Sequence, residues 1–232
     1  MSKRQFSLVI VALVVVAGLG VLIGRQTAPS TSTTTTTTST STTTTTGVNA
    51  QPLEAIWPFA NTATRFADPF SAAVSFAHDY LGMNQPLLSA FQRGDARSGE
   101  FSLHASATGP VTTVMVRQLS ADNTWWVIGA ACADIVVTSP HALAPITSPV
   151  TLTGSSTAFE AVVNVELRQD ASLVPIVRTT VMGGGNGVMG PFTKSVTFAR
   201  PVARYGSLVF RTLSAKDGSV IEASVLRIGF GA

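Results

Sequence analysis

The chain has very little cysteine, since Cys132 is the only one in 232 residues. A single cysteine excludes an intramolecular disulfide framework and excludes zinc sites built from several thiolates. Because Cys132 lies between small residues on a predicted strand, we expect a buried, unreactive thiol. An intermolecular disulfide is the alternative in an oxidising compartment.

Metal-binding and cofactor-binding motifs are also missing. The histidines, His78, His104 and His141, are widely separated, so no cluster of ligands is apparent. Gly185, Gly187 and Gly190 have the spacing of a dinucleotide-binding loop, but Pro191 and a predicted strand follow in place of the helix that such a loop needs. We therefore expect a flexible hairpin loop there, no metal and no cofactor.

Charged residues are scarce, at 12% of the chain against about 25% in average soluble domains. Three of the fifteen basic residues, Lys3, Arg4 and Arg25, flank the first apolar stretch, and the part from Glu54 onward holds twelve basic and twelve acidic residues. This part has no excess of positive charge for phosphate groups. We expect no nucleic-acid partner.

An uncharged, mostly apolar run fills the twenty positions between Arg4 and Arg25. Twenty helical residues span about 30 Å, the thickness of the hydrocarbon core of a bilayer. The run is longer than the ~7–15 apolar residues of a secretory signal peptide, and no cleavage site of the usual kind follows it. Since Lys3, Arg4 and the amino terminus outweigh Arg25, the positive-inside rule places the N-terminus in the cytoplasm.

Residues 1–25 are therefore predicted to be a cytoplasmic tip and a single-pass transmembrane signal anchor, and a cleaved signal peptide is the alternative. Residues 30–46 are seventeen consecutive serines and threonines, which cannot form a core. We interpret residues 26–53 as a disordered stalk, either O-glycosylated or bare. The protein is thus predicted to sit in the cell membrane with its C-terminal head outside the cytoplasm.

The head is predicted to contain two domains, because Pro140, Pro145 and Pro149 fall within eleven residues that neither a helix nor a central strand tolerates. The boundary is placed near residue 142, which gives domains 54–141 and 142–232. The first opens with a helix signal, in which Asp68 can cap, Pro69 can start and Gly82 can end the helix. The apolar residues at helical spacing are Phe70, Val74, Ala77 and Leu81. About four alternating strands follow, which predicts a small α+β domain with an antiparallel sheet.

The second domain shows no helix signal. Apolar and polar residues alternate from Phe159 to Arg168, and about seven short strands separated by turn residues are typical of a β-sandwich. Glu160 and Glu166 share one face of a predicted strand about 20 Å apart, too far for a glycosidase pair, so we expect a solvated sheet face. No Gly-x-Ser-x-Gly motif is present.

Five separated motifs of this second domain resemble a known family. They are Ile146–Pro149, Val150–Gly154, Ala158–Glu160, Gly190–Phe192 and Ser214–Gly218. In this order they are similar to the bacterial spore-germination-associated immunoglobulin-like domain, over about residues 142–230. The resemblance implies an extracytoplasmic immunoglobulin-like module in bacterial envelope proteins, without catalytic residues. The first domain resembles the companion region of similar actinobacterial membrane proteins through residues 94–100 and 125–129.

Two features of the first domain are candidate binding sites. A glycine-bounded turn carries Asp95, Arg97 and Glu100, which could face a carboxylate, a cation or sugar hydroxyls, although a well-capped turn with an internal Asp–Arg pair also explains it. Trp125 and Trp126 are adjacent on a predicted strand and must point to opposite faces. One ring is expected in the core, and the other is either packed or exposed for recognition.

These observations predict a non-catalytic, membrane-anchored binding or scaffold protein of the bacterial cell envelope that acts through protein–protein interaction. A cell-wall glycan-binding module that uses an exposed Trp125 or Trp126 is the alternative. A cell-wall-modifying enzyme that uses Asp95, Arg97 or Glu100 is the second alternative. We expect the protein not to be an enzyme.

Overall fold

The computed structural model describes residues 51–119 and 121–231. The predicted signal anchor lies outside the described residues, and so does the predicted stalk apart from residues 51–53. No helix within the described ranges has the length and apolar character needed to cross a membrane.

Helix α1 (Pro69–Ser75) begins as the sequence predicts and continues as a π-helical turn over Phe76–Tyr80. The carboxylate of Asp68 accepts a hydrogen bond from the backbone N–H of Ser71 at 2.8 Å, and Pro69 occupies the first turn. Gly82 follows the helix with a φ of 81°, a conformation that glycine adopts at little cost.

The buried face of this helix includes Ala77 and Leu81 of the predicted stripe, but not Phe70. Phe70 is 52% exposed, and its ring only touches the edge of Phe101. The buried side chains are Ala72, Ala73, Phe76, Ala77, Tyr80 and Leu81. The small alanines bring the helix close to the sheet, and the wider π-turn keeps Tyr80 and Leu81 on the buried face.

Fourteen strands and one 3-10 turn (Phe159–Ala161) make up the remaining elements of the described fold. The strands are β1 (Leu87–Leu88), β2 (Gln92–Arg93), β3 (Ser98–His104), β4 (Thr112–Gln118), β5 (Trp125–Cys132), β6 (Ile135–Ser139), β7 (Pro145–Ile146), β8 (Val150–Ala158), β9 (Val162–Gln169), β10 (Val177–Met182), β11 (Gly184–Gly185), β12 (Gly190–Val196), β13 (Tyr205–Leu213) and β14 (Val220–Phe230).

The main sheet is antiparallel along the order β1-β3-β4-β5-β14-β13-β9-β10, with β2 beside β3. A second layer is formed by β6, β8 and β12, and short β11 runs parallel to β8. The two layers are joined where β5 turns into β6, at the pair Cys132 and Ile135. The prediction of a mainly β protein with an antiparallel sheet and one short helix is confirmed.

Two hydrophobic cores lie on opposite faces of the main sheet. The first contains the helix and the inner residues of β3–β5, and the second lies between the sheet and the layer of β6, β8 and β12. Strand β13 contributes to both cores, because successive side chains of a strand point to opposite faces. Val209 packs in the first core, and Leu208 and Phe210 pack in the second. On β14, Val225 and Ile228 divide in the same way.

The two predicted domains therefore share a sheet. Strand β5, from the first, pairs with β14, from the second, at Ala130 and Val225. Strand β6, which precedes residue 142, pairs with β8. The boundary at residue 142 itself stays a prediction.

Candidate functional site

The predicted binding turn lies between β2 and β3 on the exposed edge of the first predicted domain. The carboxylate of Asp95 accepts the backbone N–H of Arg97 at 2.7 Å, and this hydrogen bond, together with those from Ser98, holds the pKa of Asp95 below its ordinary value. Arg97 Nε donates to the carbonyl of Gln118 at 3.4 Å, which ties the turn to the end of β4.

Glu100 is separated from this turn. It lies on β3, exposed, opposite Met115 of β4. It lines a surface groove of about 380 Å³ whose lining includes Arg93 but neither Asp95 nor Arg97. The structure thus keeps Asp95 and Arg97 in one turn and places Glu100 on the neighbouring strand, and their role in binding stays a prediction.

Both candidate tryptophans are buried. Trp125 is 9% exposed and packs in the first core, where its ring meets Phe91 edge to face at 5.7 Å. Trp126 is 3% exposed on the opposite face, where Ala55 and Ala60 pack against it. The prediction that the two rings point to opposite faces is confirmed. The alternative of an exposed ring, which glycan binding requires, is wrong, because both rings are buried.

A segment before the helix explains this burial. The backbone N–H groups of Ile56 and Trp57 donate to the carbonyl of Val127, and the N–H of Val127 donates to the carbonyl of Trp57. This pairing places Ala55 and Ala60 against Trp126, while other side chains of the segment enter the first core. The guanidinium of Arg65 completes the cover, 5.3 Å from the centre of the Trp126 ring.

One pocket lined by buried polar side chains was not predicted from the sequence. A pocket of about 400 Å³ lies where the β5–β6 turn, the end of β8, the turn after β11 and the β13–β14 pair meet. Its polar lining residues are Asp134, Thr157, Asn186, Thr212 and Glu222. We call it the Glu222 pocket.

Glu222 is held in this pocket by the register of two strands. It lies opposite Thr212 in the β13–β14 pair, and Thr212 Oγ1 donates to Glu222 Oε1 at 3.1 Å. The side chain is 3% exposed, and Oε2 has no hydrogen bond of normal geometry. Burial, followed by the charge of Asp134, raises the pKa of Glu222 above its ordinary value.

Two neighbouring hydroxyl groups also lack a hydrogen-bond partner. Within the described ranges, four buried side-chain polar atoms lack a hydrogen-bond partner, and three of them belong to Ser156, Thr157 and Glu222. Thr157 also lines the pocket, and its backbone N–H donates to the carbonyl of Asp134 at 2.9 Å. Ser156, the neighbour of Thr157 on β8, faces the other side, toward Gly183, and does not line the pocket. Buried polar groups are nearly always paired, so the unpaired atoms of Thr157 and Glu222 indicate a place where a polar ligand can supply the missing hydrogen bonds.

Cys132 lies beside this group and is inert. Burial, together with the charge of Glu222, raises the pKa of its thiol to about 12. Its Sγ lies 3.4 Å from Ser224 Oγ. The prediction of a buried thiol is confirmed, and the thiolate population at neutral pH is negligible.

The rim of the Glu222 pocket is apolar and exposed. Phe159 lines the pocket and is 65% exposed. Three further exposed side chains belong to the adjoining segments: Met182, Val188 and Met189. Backbone hydrogen bonds join these segments, because Gly183 N–H donates to Ala161 and Val188 N–H donates to Gly185.

The glycine-rich run is part of this rim. A Cβ on Gly184 would lie 1.9 Å from the carbonyl oxygen of Val188, so only glycine fits. Asn186 and Gly187 both have positive φ and form the turn, and strand β12 follows at Gly190. The predicted loop followed by a strand is confirmed, although β11 and β12 each pair with β8 rather than with each other.

The chain also matches a known family. Residues 134–219 match the Gmad2 family, the immunoglobulin-like domain of bacterial spore germination. The resemblance predicted from the sequence is confirmed, with a start at residue 134 rather than 142. No curated protein and no solved structure matches the chain.

Most of the pocket belongs to this immunoglobulin-like domain. Asp134 is the first matched residue, and Thr157, Asn186 and Thr212 also fall within the match. Glu222 lies three residues beyond its end, on the strand that completes the sheet.

The face of the immunoglobulin-like domain that looks toward the helix holds a second buried charge cluster. Glu166 was expected on a solvated face with Glu160, and this is wrong, because Glu166 is 5% exposed. It accepts hydrogen bonds from three guanidinium groups, those of Arg168, Arg178 and Arg211. The helix and its continuation cover this face, which the strand alternation could not show.

This second cluster ties the two predicted domains together. Arg168 donates to the carbonyl of Tyr80 at 2.8 Å, and Arg211 donates to that of Leu81 at 3.1 Å. Burial alone would raise the pKa of Glu166, but the hydrogen bonds and charges of Arg168 and Arg211 outweigh it and hold the pKa below its ordinary value. Both carboxylate oxygens of Glu166 are engaged, so the cluster is structural.

Across the described ranges, no group of three His, Cys, Asp or Glu side chains has an arrangement that could hold a metal ion.

Proposed function

We propose that this protein is a non-catalytic, membrane-anchored binding or scaffold protein of the bacterial cell envelope, and that its extracytoplasmic head binds another protein. The family match supports an immunoglobulin-like module, and the apolar run at residues 5–24 supports the anchor. The Glu222 pocket and its rim supply the binding surface.

The observation that carries the proposal is the combination of an apolar rim with a polar pocket. Phe159, Met182, Val188 and Met189 are exposed around buried groups that lack partners. Interfaces between proteins commonly have this composition, with apolar or aromatic anchors around a few polar groups that need a partner. Val202, near the opposite end of β9, is 94% exposed and lies outside the lining of the Glu222 pocket.

The alternatives lack such support. A glycan-binding platform at Trp125 or Trp126 has no exposed ring. For a cell-wall-modifying enzyme, Asp95 and Glu100 lie in different surroundings, one in a turn and one beside a groove.

One labelling experiment tests both the location and the surface. Val188→Cys and Val202→Cys are made in the full chain, and intact cells are treated with a membrane-impermeant maleimide that carries a photoreactive group. Cys132 stays unlabelled because it is buried and its thiol pKa is about 12, so the unmodified chain is the background control. We expect both new cysteines to be labelled and a discrete protein adduct to form after illumination from position 188 alone.

Two results contradict the proposal. Failure of the reagent to label either cysteine in intact cells excludes an extracytoplasmic head. Equal adducts from positions 188 and 202, or none from either, exclude the pocket rim as the binding surface.

A further inference from the structure

The chemistry of the Glu222 pocket selects the charge of its ligand. Two carboxyl groups, those of Asp134 and Glu222, line it, and none of its described lining residues is lysine or arginine. Glu222 is only 3% exposed, and its Oε2 has no hydrogen bond of normal geometry. A buried carboxylate is stabilised by a group that brings both positive charge and N–H donors.

The walls of the pocket select the shape of that ligand. Apolar side chains form much of the lining, among them Phe159, Val162, Leu213 and Ile221. Lysine and arginine side chains bury an aliphatic stem along apolar surface and carry their charge at the tip. The apolar walls of the pocket fit the aliphatic stem of such a side chain, and the carboxyl group inside fits its charged tip.

A metal ion fits the pocket less well. Calcium takes about six to eight oxygen ligands, and magnesium needs near-octahedral coordination. Asp134 and Glu222 are the carboxyl groups in the lining, and the described residues contain no group of three His, Cys, Asp or Glu side chains that could hold a metal ion. A volume of about 400 Å³ is also far larger than a single ion requires.

We propose that the Glu222 pocket receives an arginine or lysine side chain of a partner protein, with Glu222 and Asp134 as acceptors for its charged tip. Thr157 Oγ1, which is buried and lacks a partner, supplies a further hydrogen-bonding group. The exposed ring of Phe159 lies where the stem enters. This inference rests on the proposed function for the source of the cation, a protein.

The experiment uses the full chain in detergent micelles and two small probes. Nα-acetyl-arginine amide carries the guanidinium group, and Nα-acetyl-citrulline amide has nearly the same shape without the charge. Binding is followed through the backbone amide signals of Asp134, Thr157 and Asn186 in two-dimensional NMR spectra. The variants are Glu222→Gln and Asp134→Asn, and Glu100→Gln is the control for a carboxylate outside the pocket.

We expect saturable shifts with the arginine probe and a dissociation constant about tenfold higher for Glu222→Gln or Asp134→Asn, equivalent to one lost charge-assisted hydrogen bond. Glu100→Gln should bind as the unmodified chain does, and the citrulline probe should give no saturation. Unchanged spectra elsewhere show that each variant is folded. No saturation with arginine, equal binding of citrulline, or an equal loss in all three variants overturns the inference.

The result is separable from that of the labelling experiment. If the arginine probe fails to bind while the adduct from position 188 persists, the inference falls and the proposed function stands. If the probe binds with the expected variant pattern and no adduct forms, the proposed function falls, and the protein source of the cation falls with it.

Discussion

Glu166 on β9 and Glu222 on β14 are both buried in the sheet, but their surroundings are opposite. Guanidinium groups surround Glu166, which uses both of its oxygens and has a lowered pKa. Glu222 accepts a hydrogen bond from Thr212, lies beside the thiol of Cys132 and near the carboxylate of Asp134, and has a raised pKa. The partners of a buried carboxyl group thus decide whether it holds the fold together or is available to a ligand.

The largest expected effect is at the first of these sites. Glu166→Gln leaves the buried guanidinium groups of Arg168 and Arg211 without their counter-charge. We expect the free energy of unfolding to fall by about 3 kcal/mol at neutral pH, the usual cost of removing one partner of a buried ion pair. Urea unfolding of the full chain in detergent measures it, and a loss below ~1 kcal/mol would show that Glu166 is not the centre of the cluster.

Glu222→Gln should have a smaller effect of opposite sign. Because the folded-state pKa of Glu222 lies above its ordinary value of 4.5, the folded protein binds more protons than the unfolded chain between these two values. Stability therefore falls as pH rises through that window and stays lower above it. We expect the variant to match the unmodified chain near pH 4 and to be more stable by up to about 1 kcal/mol at neutral pH.

The stability of Glu166→Gln should depend on pH in the opposite way to that of Glu222→Gln. The folded-state pKa of Glu166 is lowered, so its stabilisation is complete above the ordinary value of 4.5 and is lost as pH falls through the folded-state pKa. The deficit of this variant should therefore shrink toward low pH. Parallel profiles for the two variants would remove the distinction between the two sites.

The smallest effect is expected at the rim of the Glu166 cluster. Arg178 contacts Glu166 at 3.1 Å, but its side chain is 71% exposed. Arg178→Gln should lower the free energy of unfolding by less than about 1 kcal/mol, as is usual for solvent-exposed ion pairs. A loss as large as that of Glu166→Gln, in the same urea experiment, would mean that exposure does not weaken this contact.

Local signals predicted the local structure well. The start of the helix follows from Asp68 and Pro69, whose roles depend only on their neighbours. The strand at Trp125–Cys132 and the glycine-rich turn before β12 follow from alternation and turn chemistry in the same way. The family motifs identified the immunoglobulin-like domain, although eight residues late at its start.

Long-range contacts account for what the sequence did not predict. Alternation shows that a strand has two faces, but not that Ala55 and Ala60 cover Trp126 or that the helix covers Glu166. Glu222 was missed because its site forms from segments up to 112 residues apart in the chain, from Pro110 to Glu222. One signal was available: Glu222 is an acidic residue within the otherwise mostly apolar strand Val220–Phe230.

The contribution of β14 to both cores has a consequence for the order of events during synthesis. A ribosome releases β14 after the thirteen other described strands, and until then both cores lack one wall and β5 and β13 lack the neighbour between them. The pairing of Ala130 with Val225 also closes a long stretch of chain, which slows folding. A nascent chain that still lacks β14 therefore cannot complete either core, so the folding of the head depends on its last described strand.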